Sequence, residues 1–288
     1  MERITMVSRD EPRRVIETST QNACVRRDFY SLEKENGERT AEPEHLLAEM
    51  ESQTATALRE LEGTGCPPSA EVRDAISWFL AFQANRGNDQ RALISQSNEH
   101  MLKMILAAAP EEWIRSRYQE MHGREPSALE VESPKKRFRS VDKYTIKTHP
   151  NEHIRSIFES AESRVPYFLE RSWKLLSFPG PALITSDRPF ALLARPPHQD
   201  VGLATADYIA FPINSQQLLL MGQPGKFEGN CDGTEEVARF VNRTLFRQCF
   251  EWAFHRPTHS PLAGVTVKPR RSQVISGIGV GEKFRALD

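Results

Sequence analysis

The spacing of apolar residues along this chain of 288 residues changes near residue 176. Before that point, apolar side chains recur every three to four residues over long stretches, which is typical of amphipathic helices. After it they form short runs between polar turns, as strands do, until one more helical stretch over 235–254. Because helices and strands are segregated rather than alternating, the order predicts an α+β fold. We expect a helical body, a small and mainly antiparallel sheet, and a long C-terminal helix.

The length suits one large domain or two small ones, and we predict a single domain over 1–288. Its expected parts are an extended N-terminal segment (1–33), a helical region (43–122), an exposed connection (124–148), a helix, sheet and helix (151–254) and a tail (255–288). The connection is predicted because Pro and the basic run at 135–139 stand where bulky apolar residues are few. That run is either a solvated loop or a weak phosphate contact. Pro166 should kink or split the helix predicted over 151–176.

Charge and cysteine usage narrow the class of protein. Lys and Arg total 38 and Asp and Glu total 39, which excludes a globally basic nucleic-acid-binding chain but allows a local basic patch. No apolar stretch is long enough to span a membrane, and the first residues lack the apolar region of a signal peptide. The four Cys are dispersed without a CxxC pair, so we expect reduced thiols. We therefore predict a cytoplasmic protein without a membrane partner.

Three polar residues fall on the predicted apolar faces of helices. They are Glu51, Arg86 and Asn242. A buried charge is costly unless it is paired, so we predict that Glu51 and Arg86 meet in the interior. Two interpretations stay open: a structural salt bridge with an amide beside it, or a polar pocket between helices that binds a ligand.

Ser186 and Asp187 stand where a predicted strand ends, just ahead of Pro189. Short polar side chains at the edge of a sheet are typical of functional sites. Asp187 is therefore a candidate catalytic residue, together with Glu51 and Arg86. The alternative is a turn, in which both side chains bond nearby backbone and Pro189 fixes the chain direction.

The segment around His149 and His153 has the spacing of a metal-ligand pair. Pro150 breaks any helical face that the two would share, and helix capping by Asn151 explains the segment as well. We keep His153, with Ser186 and Asn242, as candidate substrate-binding residues. No cofactor is predicted. The expected pocket accepts a small anion at Arg86, with a divalent cation at Asp187 as the alternative.

A series of short segments follows one another along nearly the whole chain. They are Arg27-Asp28-Phe29-Tyr30-Ser31, Leu47-Ala48-Glu49-Met50-Glu51, Phe79-Leu80-Ala81-Phe82-Gln83 with Arg86, His149-Pro150-Asn151, Trp173-Lys174-Leu175-Leu176, Ile184-Thr185-Ser186-Asp187-Arg188-Pro189, Phe211-Pro212-Ile213 and Val241-Asn242. This ordered set resembles the bacterial domain-of-unknown-function family numbered 4238. The resemblance implies a shared fold and brings no activity with it. Family members usually open with a His-x-Val-Pro-x-Phe-Tyr-Leu segment, so we expect either a misassigned start or a loss of that segment here.

Two classes of function fit these residues. The first is an enzyme of hydrolase or nuclease type in a conflict or stress system, with a carboxylate as general base or metal ligand and Arg86 steadying an anion. The second is a non-catalytic ligand-binding or regulatory protein whose buried polar residues are structural. A small-molecule or nucleic-acid ligand is expected in either case. Polar side chains around an open cavity favour the first class, and a closed, fully paired network favours the second.

Overall fold

The computed structural model describes residues 3–23, 32–33, 39–40, 42–85, 88–140, 143, 150–195 and 201–267. The chain divides into two compact units, whereas the sequence analysis treats 1–288 as one domain. Unit 1 contains Met1–Asn88 and Ile154–Asp288, and unit 2 contains Asp89–His153. In sequence, the second unit therefore interrupts the first.

Helices and strands occur in both halves of the chain. The helices are α1 (Glu42–Thr64), α2 (Ala70–Asn85), α3 (Asn88–Ala107), α4 (Glu111–His122), α5 (Ala128–Arg139), α6 (Pro150–Glu162), α7 (Pro166–Leu169) and α8 (Glu235–Gln248). The strands are β1 (Arg3–Ser8), β2 (Val15–Ser19), β3 (Leu32–Glu33), β4 (Arg39–Thr40), β5 (Ser172–Ser177), β6 (Thr185–Ser186), β7 (Ala191–Leu193), β8 (Tyr208–Pro212), β9 (Gln217–Gly222), β10 (Gly229–Asp232) and β11 (Trp252–His255). None of these described helices is both long and apolar enough to cross a membrane.

The strands form small, mainly antiparallel sheets, which confirms the predicted α+β class. One sheet has the order β2-β1-β11-β6, a second has the order β10-β5-β9-β8-β7, and β3 pairs with β4. Strand β10 runs parallel to β5, while the other pairs are antiparallel. Strands β8 and β9 form one of the antiparallel pairs, with Phe211 opposite Leu219.

Two hydrophobic clusters hold unit 1 together. In the first, α1 and α2 bury Leu61, Ile76 and Leu80 completely, beside Trp173 from β5. In the second, the apolar side of α8 packs with residues of β7, β8 and β11. Complete burial of large apolar side chains is the dominant stabilising term of such a unit.

In unit 2, α4 and α5 are bounded by local signals. Helix α4 ends at Gly123, which adopts a left-handed φ of 67° and donates its N–H to the carbonyl of Gln119. Helix α5 starts with a capping box, in which Ser127 and Glu130 each bond the other's backbone N–H. Residues 128–139 of the predicted exposed connection are therefore helical. The basic run lies in that helix, with Lys136 and Arg137 exposed.

Two expected helices are shorter than predicted. Pro166 splits the helix predicted over 151–176, as expected, but the chain after α7 becomes strand β5. The C-terminal helix ends at Gln248 instead of continuing to 254, and its last predicted residues form β11. A long C-terminal helix is therefore not present in the described part of the chain. The carboxylate of Asp187 gives the physical reason, because it binds the backbone N–H groups that follow Cys249.

Candidate functional site

Asp187 directly follows β6, and its carboxylate accepts three backbone hydrogen bonds. Oδ1 accepts the N–H of Phe250 at 2.7 Å, and Oδ2 accepts those of Glu251 at 2.6 Å and Trp252 at 2.9 Å. The N–H of Asp187 donates in turn to the carbonyl oxygen of Trp252 at 3.1 Å. The side chain therefore fixes the turn between α8 and β11. Consecutive N–H groups of this kind form a favourable site for a negative charge.

Asn242 is buried on α8, as its helical position predicted, and both ends of its amide bind backbone. Oδ1 accepts the N–H of Ile184 at 3.1 Å, and Nδ2 donates to the carbonyl oxygen of Ala182 at 2.7 Å. These bonds satisfy an irregular segment ahead of β6. A buried segment without a strand partner needs such bonds, since an unpaired buried polar group is costly.

Ser186 forms a local turn. Its Oγ accepts the N–H of Arg188 at 3.2 Å and donates to the carbonyl oxygen of the same residue. This is the turn that the sequence left open as the alternative to a site. Ser186, Asp187 and Asn242 thus lie around the same stretch of chain, and each directs polar atoms to backbone groups.

The other predicted residues do not join this group in the described structure. Glu51 is exposed on α1, so its predicted inward orientation is wrong. Its helical neighbours Ala48 and Ala55 are exposed too, so this side of α1 faces solvent. Arg86 lies outside the described residues, and so does the side chain of His153. The predicted interior pair of Glu51 and Arg86 therefore has no support from the position of Glu51.

An ion pair that the sequence analysis missed joins distant parts of unit 1. Nη2 of Arg73 lies 2.8 Å from each carboxylate oxygen of Glu228, and Nη1 donates to the carbonyl oxygen of Arg171 at 2.9 Å. The guanidinium also lies over the ring of Trp173, 4.7 Å from its centroid. Glu228 accepts the N–H of Trp173 at 2.8 Å. No sequence signal was available, since the two charges are separated by 155 positions.

Arg171 is a buried cation whose hydrogen bonds all go to carbonyl oxygens. Nε donates to Tyr167 at 3.0 Å, and Nη2 donates to Ala206 at 2.8 Å and Leu203 at 3.2 Å. Nη1 donates to Asp207 at 3.4 Å. Burial lowers the pKa of the Arg171 guanidinium, and the Asp207 carboxylate acts against that shift. Arg171 therefore connects α7, β5 and the loop ahead of β8 instead of facing a ligand.

A cavity of about 340 Å³ lies along the groove between α1 and α2. Its lining combines apolar, amide, hydroxyl and carboxylate groups from Met50, Gln53, Thr54, Glu71, Asp74, Ala75 and Trp78. Thr54 is buried, and its hydroxyl donates to the carbonyl oxygen of Met50 at 2.8 Å. Of the predicted site residues whose side chains the structure describes, none lines this cavity.

The two carboxylates of the cavity are exposed and lie on one side of α2, because Glu71 and Asp74 are three residues apart. Neither forms a hydrogen bond or ion pair within the described part of the chain. Trp78 is half-buried and adds an aromatic wall. An aromatic face beside exposed carboxylates favours a cation over an anion.

Among the described residues, no group of three or more His, Cys, Asp or Glu side chains is arranged to hold a metal ion. A family model described as "Protein of unknown function (DUF4238)" matches residues 1–259. No curated protein and no solved structure matches the chain.

Proposed function

This chain belongs to the DUF4238 family of proteins of unknown function, and we propose that it is a non-catalytic protein that binds a small organic cation between α1 and α2. The observation that carries the proposal is the cavity of about 340 Å³. Its volume is within the range of small-molecule sites, and a few polar groups stand among apolar ones, as is usual there. The Trp78 ring and the carboxylates of Glu71 and Asp74 give the site its preference for positive charge.

The residues predicted for a hydrolase or nuclease support this proposal indirectly. A general base or a metal ligand needs a lone pair that can meet the substrate or the ion. Asp187 uses both carboxylate oxygens to hold backbone N–H groups, and Asn242 uses both ends of its amide. A paired network of this kind is what we expected for structural polar residues. Hydrolase or nuclease activity stays a prediction, and two of its candidate residues, Arg86 and the side chain of His153, lie outside the described part of the chain.

The cellular setting is part of the same proposal. Dispersed cysteines support a reduced, cytoplasmic location, and the resemblance of the sequence supports a bacterial source. A cytoplasmic binding protein would meet small amines and quaternary ammonium compounds as free solutes.

The test is a titration of the full chain with choline, followed by NMR shifts of the Trp78 indole N–H. The matched probe is 3,3-dimethylbutan-1-ol, which has the same shape without the charge. We expect choline to bind at least about tenfold more tightly, because cation–π and carboxylate contacts are available to it alone and about 1.4 kcal/mol corresponds to tenfold. Equal affinity for the two probes would contradict the cationic ligand.

Two matched variants separate the cavity from the helix surface. Ala75→Leu fills the cavity and should abolish choline binding. Ala55→Leu adds the same side chain on the exposed side of α1 and should leave binding unchanged. Choline binding that survives in the Ala75→Leu protein, or no binding of either probe to the unaltered protein, would show that the cavity is not the site.

A further inference from the structure

The outer side of α8 carries a row of arginines. Arg239, Arg243 and Arg247 are four residues apart, so they project from the same side of the helix. Successive members are about 6 Å apart along the helix axis. All three are exposed, while the opposite side of α8 is buried in the core of unit 1.

The positive charge of this row is poorly neutralised within the described part of the chain. Arg239 lies 3.7 Å from Glu235, and both side chains are largely exposed, so this pair contributes little. Arg243 and Arg247 form no ion pair with a described residue. The helix dipole favours a cation in the last turn. It therefore explains the position of Arg247 but not those of Arg239 and Arg243.

The charged neighbours of this row lie at the two ends of the helix. Glu235 and Glu236 occupy its first turn, where they suit the positive end of the dipole. At the other end, Arg9 donates from Nε to the carbonyl oxygen of Arg247 at 3.1 Å and from Nη1 to Asp10. The middle of the outer side is therefore basic, beyond an acidic first turn and ahead of an end where the charge of Asp10 is paired with Arg9.

An exposed aromatic ring accompanies the arginines. Phe240 is 43% exposed, although a Phe gains by being buried. It lies between Arg239 and Arg243 in sequence and within about one helical turn of each. Basic side chains beside an accessible aromatic ring are the combination with which proteins bind single-stranded nucleic acids, because phosphates meet the charges and a base stacks on the ring.

We propose that the outer side of α8 binds single-stranded nucleic acid, with Arg239, Arg243 and Arg247 on phosphates and Phe240 under a base. Charge complementarity with a polyanion is the argument for this occupant. An anionic membrane is the competing one, but one isolated aromatic residue offers little apolar surface for insertion. The proposed surface does not include the cavity between α1 and α2, so the two proposals can fail separately.

The experiment measures the fluorescence anisotropy of a labelled oligothymidylate against the full chain at several salt concentrations. Three phosphate contacts predict a slope of about −2 for the logarithm of the binding constant against the logarithm of salt. Arg243→Gln should reduce that slope by about 0.7, and the triple variant R239Q/R243Q/R247Q should bring it close to zero. Phe240→Leu should weaken binding about tenfold while leaving the slope unchanged.

A second triple variant, R59Q/R117Q/R137Q, changes the net charge equally at exposed arginines elsewhere and includes one residue of the basic run at 135–139. We expect it to bind like the unaltered protein. The proposal is overturned if this control loses affinity while R239Q/R243Q/R247Q keeps it, or if the unaltered protein binds no oligonucleotide at low salt. It is also overturned if vesicles rich in phosphatidylserine bind more tightly than the oligonucleotide. Circular dichroism of both triple variants should be unchanged, because the substituted side chains are exposed.

Discussion

The carboxylate of Asp187 accepts the backbone N–H of Trp252 at 2.9 Å, although 65 positions separate the two residues. The bond lies where the ladder between β6 and β11 begins, in which Ser186 is opposite Ala253. The same carboxylate binds the two N–H groups that precede Trp252. One side chain thus supplies the hydrogen-bond acceptors for the turn between the end of α8 and the start of β11.

Replacing this carboxylate should destabilise the fold. Asp187→Asn keeps the shape of the side chain but has one oxygen where the carboxylate has two. The three backbone N–H groups must then share that oxygen, or at least one of them must face the NH₂ group of the amide. Hydrogen bonds to a charged group contribute more than neutral ones, so we expect the free energy of unfolding to fall by about 2–4 kcal/mol. Urea unfolding followed by circular dichroism measures the change.

The matched control is Asp74→Asn, since that carboxylate is exposed and has no partner among the described residues. Its unfolding free energy should stay within about 0.5 kcal/mol of the unaltered protein. Asp187 is also a candidate catalytic residue by its position at the strand end, and a purely catalytic carboxylate could be replaced by an amide without loss of stability. An Asp187→Asn protein as stable as the control would favour that earlier hypothesis over the structural role.

Removing one partner of the Arg73–Glu228 ion pair should destabilise the fold, because the other partner is then left without its countercharge. The two side chains are 17% and 26% exposed, and Glu228 also accepts the N–H of Trp173. Glu228→Gln leaves the guanidinium without its countercharge in a partly buried place. We expect a loss of about 2–3 kcal/mol, somewhat below the value for a fully buried pair because water reaches this one. Urea unfolding again provides the measurement.

An exposed pair shows what the same substitution costs without burial. Arg117 and Glu120 are 63% and 61% exposed and lie one turn apart on α4. Glu120→Gln should change the unfolding free energy by only a few tenths of a kcal/mol. If Glu228→Gln and Glu120→Gln have equal effects, the network around Arg73 is not a stabilising element.

The spacing of apolar residues predicted the helices that are buried on one side and exposed on the other. Helices α1 to α4 extend from Glu42 to His122, close to the region predicted as helical (43–122), because apolar residues recur there at helical spacing and Gly or Pro residues stand near the helix ends. Strand β5 was taken for a helix because Trp173, Leu175 and Leu176 are buried on both of its sides, so no alternation is visible. Strand β10 was missed for the opposite reason, since most of its residues are exposed and polar.

The candidate site was predictable only in part. Helical position was enough to predict that Asn242 is buried, because orientation on a helix is a local property. The partners of Asp187 and Asn242 were not predictable, since they are backbone groups about 60 positions away and leave no side-chain signal. The cavity between α1 and α2 was missed for a related reason. Its lining residues are ordinary for exposed helix surfaces, and the groove appears only when the two helices pack.

Alkaline pH should weaken the fold through Cys66. Burial, together with the charge of Glu228, raises the pKa of this thiol from its ordinary 9.0 to about 12. Between these values the unfolded chain has lost the proton and the folded chain keeps it, so the contribution to stability declines as pH rises through this window. The slope is at most about 1.4 kcal/mol per pH unit.

Other groups titrate at high pH, so the measurement is a difference between proteins. Urea unfolding at a series of alkaline pH values should show a shallower decline for Cys66→Ala than for the unaltered protein. Cys231→Ser is the control, because that cysteine is exposed and its loss should keep the full decline. Identical pH profiles for Cys66→Ala and the unaltered protein would exclude a buried, protonated thiol at this position.

Acid should loosen the junction of α4 and α5 through Glu130. Hydrogen bonds from Arg124, of which the Nη2 bond is 2.5 Å, are the main cause that holds the pKa of this carboxyl well below its usual range. The Tyr118 hydroxyl and the N–H of Ser127, at 2.8 Å, add to the shift. The pKa of Glu130 is lower in the folded protein than in the unfolded chain. The stabilisation is therefore present above the ordinary pKa of Glu and is lost as pH falls toward the pKa of the folded protein.

Amide hydrogen exchange of residues in α4 and α5 reports this loss locally. In the unaltered protein, protection should decline on acidification, whereas Glu130→Gln should show low protection already at neutral pH and little further change. Glu132→Gln, which alters an exposed carboxyl one half-turn further along α5, should behave like the unaltered protein. The Glu130 carboxylate takes part in both the capping box and the ion pair with Arg124. A Glu130→Gln protein that keeps full protection at neutral pH would therefore show that these contacts do not hold the two helices together.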